Sequence, residues 1–111
     1  RPRPRTGTAG GTSCDAALTA EIERICDATG FSRVSNGRFR GGWITRHYGK
    51  PDKGVHAVQK ELAMSGYLSK PVVFDLEHWP GPLDDTRAAR LRLALRDILA
   101  ACARFATGRK K

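Results

Sequence analysis

The sequence predicts an α/β protein in which a mixed sheet is flanked by helices. Three observations lead to this prediction. Amphipathic helical patterns lie near both ends of the chain, β-favouring segments punctuated by Gly, Asn-Gly and Pro lie between them, and 111 residues suffice for one small domain. No internal repeat is evident. The elements are therefore expected to form one layered unit.

The first helix is predicted over residues 15–28. Ser13 or Asp15 is the candidate N-cap, and Gly30 follows the expected end of the helix. Apolar residues recur at helical spacing, as is typical of a helix with one face on a core. These residues are Ala17, Leu18, Ile22, Ile25 and Cys26.

Short strands are predicted next, over residues 31–35 and 43–47, with a turn at Asn36-Gly37 between them. Residues 55–62 are ambiguous: they are rich in good helix formers, yet a period of two places Gln59 and Glu61 on one face. The distinction affects function, because residues two apart share a face of a strand but lie roughly 200° apart around a helix.

The last part of the chain predicts a short edge strand over residues 71–76, a loop over 78–82 and a long helix over 86–105. Asp84 or Asp85 is expected to cap this helix. Its apolar residues recur at intervals of four and three, so the helix must pack on another element. They are Leu91, Leu95, Ile98, Cys102 and Phe105, with Ala88, Ala94 and Ala101 beside them.

Positive charge is concentrated at the ends of the sequence. The formal charge is +9 and the pI about 10.2, but Arg1, Arg3, Arg5, Arg109, Lys110 and Lys111 supply six charges, which leaves 9 − 6 = +3 elsewhere. We therefore expect basic tails at residues 1–10 and 107–111 around a single α/β domain or half-domain over 11–106. Solvated tails are favoured, and contact with nucleic acid or an anionic surface is the alternative.

The cysteine content and the hydropathy of the sequence predict the cellular compartment of the protein. Cys14, Cys26 and Cys102 are an odd number without a CxxC pair, which predicts free thiols in a reducing compartment. No apolar run approaches the roughly 20 residues that span a bilayer, and no signal-peptide pattern opens the sequence. A soluble, cytoplasmic protein without membrane contact is expected.

Most of the chemistry-bearing residues lie within residues 36–61, which combine glycines, aromatic rings and polar groups in an order that a core does not require. Four segments, GTSC at 11–14, NGRFRGG at 36–42, ITRHYGKP at 44–51 and GVHAVQKEL at 54–62, resemble the C-terminal half of the N-formylglutamate amidohydrolase family. The likeness runs from about residue 11 to residue 67. Four motifs in the same order are far more specific than any one of them.

The resemblance implies half of a zinc-hydrolase domain of the phosphorylase/hydrolase-like kind. It implies an amidohydrolase of N-formylglutamate deformylase type that acts on a small N-acyl amino acid in histidine degradation. It also implies that residues 55–62 form a strand carrying Glu61 as general base and acid. The zinc ligands of such enzymes lie upstream of the GTSC segment, so they are expected outside this chain, in a missing N-terminal half or an oligomer partner.

Arginine and asparagine side chains are candidates for gripping the substrate. Arg46 or Arg38 can hold a carboxylate through two parallel hydrogen bonds, which a dianion such as formylglutamate requires at least once. Asn36 can donate to the same carboxylate or simply hold the Asn-Gly turn. The sequence leaves both roles of Asn36 open.

His47, Tyr48 and Gln59 complete the candidate site. His47 and Tyr48 can orient the substrate or stabilise developing negative charge on the attacked carbonyl. On a strand, Arg46 and His47 alternate, so at most one of them would face the site. Gln59 is assigned to substrate binding because the period of two places it beside Glu61.

The remaining histidines are interpreted as structural. His56 lacks a second ligand at helical spacing, and His78 lies in a predicted loop, so neither is assigned to a metal. A different class of function also stays open. A non-catalytic basic protein that kept half of this fold could bind RNA or join a larger assembly through its RPRPR and GRKK ends, with strong dependence on salt.

Overall fold

A computed structural model describes residues 5–30, 33–37, 40–71, 73 and 75–108. Its sheet contains β1 (Arg5–Gly7), β2 (Val34–Ser35) and β3 (Gln59–Glu61) in the order β2-β1-β3. β1 is parallel to β2 and antiparallel to β3, so the sheet is mixed. The helices are α1 (Ala16–Ala28), α2 (Trp43–Tyr48) and α3 (Asp85–Gly108). The predicted α/β class is confirmed.

The central strand comes from residues that the sequence assigned to the N-terminal tail. Arg5 pairs with Val34 on one side and with Glu61 on the other, and Thr6 and Thr8 are each only 1% exposed. The sequence did not predict this strand, because the Arg-Pro alternation is typical of an extended tail. The two buried threonines also carry too little apolar character to predict burial. At the other end, α3 continues to Gly108, past the predicted boundary at residue 106.

α1 has the predicted position and the predicted buried face. Asp15 is its N-cap, since the carboxylate accepts a hydrogen bond from the Ala17 N–H at 2.8 Å. Gly30 follows the end of the helix with φ +79°, a conformation that glycine adopts without strain. Leu18, Ile22, Ile25 and Cys26 are buried, whereas Ala17 is exposed.

α3 packs against α1 and forms most of the core with it. Asp84 caps α3, because its carboxylate accepts from the Arg87 N–H at 3.0 Å. The predicted apolar stripe of α3 includes Ala88, Ala94 and Ala101, which are buried. Small side chains of this kind let two helices approach closely. The core cluster comprises Cys14, Leu18, Ile22, Ile25, Cys26, Ile98 and Ala101, with Val58, Cys102 and Phe105 packed against it. All three cysteines are free, as predicted.

The strand predicted over residues 43–47 is wrong, because Trp43–Tyr48 is the short helix α2. The Arg46 N–H donates to the Gly42 carbonyl at 3.2 Å, and the Gly49 N–H donates to the Thr45 carbonyl at 3.1 Å. Within α2 only Thr45 is buried, at 5% exposure, whereas Trp43 and Ile44 are largely exposed. One buried position in six gives no sheet face, so the local β preference of these residues is overridden.

The edge strand predicted over residues 71–76 is also not found. Pro71, Val73, Asp75 and Leu76 lie outside any strand, and residues 72 and 74 lie outside the description. The loop over residues 78–82 is confirmed. β2 covers only the end of the predicted strand over 31–35, of which residues 31 and 32 are not described.

β3 confirms the strand alternative for the ambiguous segment 55–62. The Nζ of its middle residue, Lys60, lies on the side of the sheet that faces α1. It donates to the Thr6 Oγ1 at 2.7 Å and to the Cys26 Sγ at 3.1 Å. Gln59 and Glu61 therefore share the opposite face. Among the residues that the structure describes, no helix is both long and apolar enough to cross a membrane.

Candidate functional site

The sequence motifs meet around the segment that leads into β3. The Ser13 hydroxyl donates to the Ala57 carbonyl at 2.8 Å, and the Ala57 N–H donates to the Ser13 carbonyl at 2.8 Å. A Cβ atom added at Gly49 would collide with Ser13. The GTSC segment therefore holds the residues that precede β3 in place through these two hydrogen bonds. The ITRHYGKP segment needs glycine at position 49, because a larger residue there would clash with Ser13.

Glu61 ends β3 with a half-buried side chain. Its Oε1 accepts a hydrogen bond from the Gln59 Nε2 at 2.7 Å. This contact confirms the prediction that the two side chains lie side by side on one face. A carboxylate with one oxygen engaged and partial shelter from water has the chemistry of a proton acceptor.

Gln59 also connects β3 to the start of α2. Its Oε1 accepts from the Gly42 N–H at 2.7 Å and from the Thr45 hydroxyl at 3.3 Å. Gly41 has φ +105°, and a Cβ atom there would lie 3.1 Å from the Thr45 side chain. The Gly-Gly pair therefore permits the close approach that brings the Gly42 N–H to Gln59.

Arg46, His47 and Tyr48 lie together on α2, with exposed side chains. The Arg46 Nη1 donates to the Gly41 carbonyl at 3.2 Å, which keeps the guanidinium beside the Gly-Gly pair. His47 stacks on Trp43 with ring centroids 4.2 Å apart, and Tyr48 meets His47 edge to face at 4.7 Å. The expected strand alternation of Arg46 and His47 is wrong, because neighbours on a helix lie about 100° apart.

Asn36 is engaged by the backbone near β1. Its Oδ1 accepts from the N–H groups of Thr8 and Gly10 at 2.9 and 3.1 Å, and its Nδ2 donates to the Thr8 hydroxyl at 2.7 Å. With φ +48° it also holds the turn. The structure thus gives Asn36 the turn-holding role that the sequence left open. Arg38 lies outside the described residues.

The other two histidines have protein partners. The His56 Nδ1 accepts from the Asp15 N–H at 3.0 Å, and the ring meets Phe105 edge to face at 5.0 Å. The His78 Nδ1 lies 2.7 Å from the Asp75 Oδ1, and this contact lowers the pKa of Asp75. Each ring thus contacts other residues of this chain, and the buried Nε2 of His56 has no hydrogen-bond partner among the described residues.

The described residues do not fit a zinc site. No group of three or more His, Cys, Asp or Glu side chains converges within them, whereas a catalytic zinc takes about three protein ligands. Burial raises the pKa of the Cys14 and Cys102 thiols, which disfavours the thiolate that a metal would bind.

Gly42 and Thr45 are the site residues that sequence reasoning missed. Both touch Gln59, one through its backbone and the other through its hydroxyl. Thr45 was placed on a strand, where it would not have faced Gln59 in this way. The hydropathy of residues 43–48 does not distinguish Thr45, because Trp43 and Ile44 are more apolar and are nevertheless exposed.

Fold and site together define a small α/β unit in which a strand presents a glutamate–glutamine pair against a glycine-rich helix start. The N-formylglutamate amidohydrolase family model matches residues 1–68. The chain belongs to the N-formylglutamate amidohydrolase family.

Two curated relatives are similar in sequence to this chain. An N-formylglutamate deformylase of Pseudomonas aeruginosa is 46% identical over 95 residues, which are 85% of this chain and 35% of that protein. An N-formylglutamate deformylase of Pseudomonas putida is 54% identical over 69 residues, 61% of this chain and 26% of that protein. The matched residues thus span about a third of the length of one curated relative and about a quarter of the other.

A solved structure shares the fold. The crystal structure of an N-formylglutamate amidohydrolase from Ralstonia eutropha JMP134 superposes with a TM-score of 0.72 at 20% identity, covering 91% of this chain and 34% of that one. The expectation of a partial hydrolase fold is confirmed, although the part is nearer a third than a half.

Proposed function

We propose that this chain is the segment of an N-formylglutamate deformylase-type amidohydrolase that supplies the general base and part of the substrate-binding surface. The observation that carries the proposal is the Glu61 carboxylate on β3, with one oxygen held by Gln59 at 2.7 Å. Family membership and the names of the Pseudomonas relatives support the reaction class.

The proposed reaction hydrolyses the amide bond of a small N-formyl or N-acyl amino acid. Glu61 accepts a proton from the attacking water as the water oxygen bonds to the acyl carbon. The C–N bond then breaks, and Glu61 delivers the proton to the leaving nitrogen, giving formate (or another carboxylate) and glutamate. Histidine breakdown in the cytoplasm is the setting that we propose for this reaction.

Arg46 is the proposed carboxylate clamp among the described residues. Its side chain is exposed, so the guanidinium can meet a substrate carboxylate with two parallel N–H groups. His47 and Tyr48 follow Arg46 on α2, and we propose them as further hydrogen-bond donors to the substrate. Arg38 stays a second candidate clamp. Because the described residues do not fit a zinc site, we propose that the zinc ligands lie in parts of the protein outside this chain.

The proposal is tested in a chimera. The 69-residue stretch of the Pseudomonas putida deformylase that matches this chain is replaced by the corresponding residues of this chain, and formate release from N-formylglutamate is measured. Glu61→Gln is expected to lower kcat by roughly 10²- to 10⁴-fold, the usual contribution of a general base. Glu21→Gln is the matched control, because the Glu21 carboxylate pairs with Arg24 on α1. Equal activity of both variants would overturn the assignment of Glu61.

A further inference from the structure

The orientation of the Gln59 amide is fixed by its neighbours. The backbone N–H of Gly42 can only donate, so the Gln59 atom 2.7 Å from it must be the oxygen. The Glu61 carboxylate, when charged, can only accept, so the Gln59 atom 2.7 Å from its Oε1 must be the nitrogen. A flipped amide would place donor against donor and acceptor against acceptor.

This arrangement leaves Gln59 little capacity for a substrate. Its oxygen already accepts from Gly42 and from the Thr45 hydroxyl, and one amide hydrogen is given to Glu61. Within the described residues, the second carboxylate oxygen of Glu61, Oε2, accepts no hydrogen bond. The two oxygens of Glu61 are therefore inequivalent.

We propose that Gln59 is a positioning residue, which holds one oxygen of Glu61 and so presents the other as the proton acceptor. This inference rests on the proposed function of Glu61 and replaces the substrate-binding role predicted for Gln59. A hydrogen bond to an ionised acceptor is stronger than one between neutral groups, so a single amide can set the carboxylate plane. An amide does not take up a proton at neutral pH, so Gln59 does not compete with Glu61 as a base.

The role explains why three groups from α2 and β3 converge on one amide. The Gly42 N–H, at the start of α2, anchors the oxygen of the amide, and the Thr45 hydroxyl, in the first turn of α2, adds a second donor. The nitrogen end is then aimed along β3 at Glu61, two residues away on the same face. Thus the Gly-Gly segment acts on the carboxylate through Gln59.

Two substitutions separate the two ends of Gln59. Gln59→Glu keeps an oxygen that accepts from Gly42 and Thr45 but faces Glu61 with a second acceptor. Gln59→Met has a similar length and loses both contacts. Lys53→Met is the matched control, because it also replaces a long polar side chain by methionine, at an exposed position outside the contacts of Gln59 and Glu61.

Kinetics in the Pseudomonas putida chimera test whether Gln59 acts through Glu61. We expect Gln59→Met and Gln59→Glu each to lower kcat by about 10- to 100-fold with KM changed less than about threefold, the pattern of an interaction used in the transition state. In a Glu61→Gln background, Gln59→Met is expected to cause no further loss, because residues that act as a unit are not additive. The control Lys53→Met is expected to stay within about threefold of the parent chimera.

The outcomes distinguish the two proposals. If Glu61→Gln leaves kcat unchanged, the proposed function itself fails. If Glu61→Gln abolishes activity but Gln59→Met costs the same factor in both backgrounds, only the positioning role is overturned. A selective rise in KM on Gln59→Met would restore the substrate-binding role instead.

A measurement on the 111-residue chain tests the contact without activity. In an amide NMR spectrum, the Gln59 side-chain proton that is bonded to Glu61 should shift on Glu61→Ala and stay in place on the control Glu21→Ala. The backbone amide of Gly42 should stay in place in both variants. A Gln59 side-chain amide that is insensitive to Glu61→Ala would overturn the inference directly.

Discussion

Lys60 is a charged side chain on the face of β3 that lies towards α1. Its ammonium group has three hydrogens to donate, and its partners are the Thr6 hydroxyl at 2.7 Å and the Cys26 sulfur at 3.1 Å. Sulfur is a weak acceptor, and no carboxylate is among these two partners. Lys60 is thus half-buried, and none of the described residues forms an ion pair with it, which is a costly arrangement.

We predict that Lys60→Met stabilises the protein. An apolar side chain of similar length fills the same space without desolvating a charge, so the free energy of unfolding should rise by about 1 kcal/mol. Urea unfolding followed by circular dichroism measures this change. Lys53→Met, at an exposed position, is the control and should have almost no effect. A loss of stability in Lys60→Met would show that the two hydrogen bonds outweigh the cost of burial.

The Cys14 thiol links stability to alkaline pH. Burial raises its pKa, so the folded state favours the protonated thiol. For a group with a raised folded pKa, the contribution to stability is complete below the unfolded pKa of about 8.5 and is lost as pH rises through the folded pKa. We therefore expect the free energy of unfolding to fall from about pH 8 upwards.

The slope of this fall is the quantity to measure. Cys14→Ala is expected to be less stable at pH 7 because of the cavity, yet its stability should decline less steeply between about pH 8 and 10. Urea titrations at several pH values give both slopes. Parallel slopes for the two proteins would assign the alkaline loss to other groups.

At the scale of elements, the packing of α3 on α1 provides the main stabilising contact. Ile98 is 8% exposed in the core cluster, whereas its neighbour Leu99 is 70% exposed. Ile98→Ala should therefore lower the free energy of unfolding by about 2–5 kcal/mol, and Leu99→Ala by less than about 0.5 kcal/mol. Chemical denaturation of both variants tests the contrast. Similar losses would mean that α3 presents a different face to α1.

Elements with a long, periodic apolar stripe were predictable from sequence, and shorter ones were not. α1 and α3 each extend over several turns, so their spacing outweighs local noise. α2 has six residues, of which four favour strands, and the buried Thr45 hydroxyl donates to the distant Gln59, a contact that local sequence does not predict. β1 was hidden because its pairing with Val34 and Glu61 is non-local.

The same limit applies to the candidate site. Local propensity over residues 55–62 favours a helix, and the family resemblance favours the strand whose period of two pairs Gln59 with Glu61. The partners at the other end of Gln59 come from residues 14 and 17 positions away, which no local rule connects. Asn36 shows the reverse, since its turn role was local and the structure adds the contacts to Thr8 and Gly10.

At the scale of the whole molecule, this chain corresponds to only part of the related fold and carries only part of the chemistry that the proposed reaction needs. The chain spans 34% of the related crystal structure and carries the proposed base on β3. Its described residues include no cluster of three metal-binding side chains. Several large apolar side chains also stand exposed on α2, including Trp43 at 59% and Ile44 at 69%. These features fit a segment that works against further parts of an enzyme.

We therefore predict that the 111-residue chain alone releases formate from N-formylglutamate far more slowly than the Pseudomonas putida chimera does. A base by itself contributes only about 10²- to 10⁴-fold, and the chain alone lacks the zinc ligands that we propose lie outside it. Formate release is measured for both proteins at equal concentration, with Glu61→Gln versions of each. Glu61-dependent turnover by the isolated chain at the rate of the chimera would contradict this prediction and would mean that the 111 residues already contain a complete site.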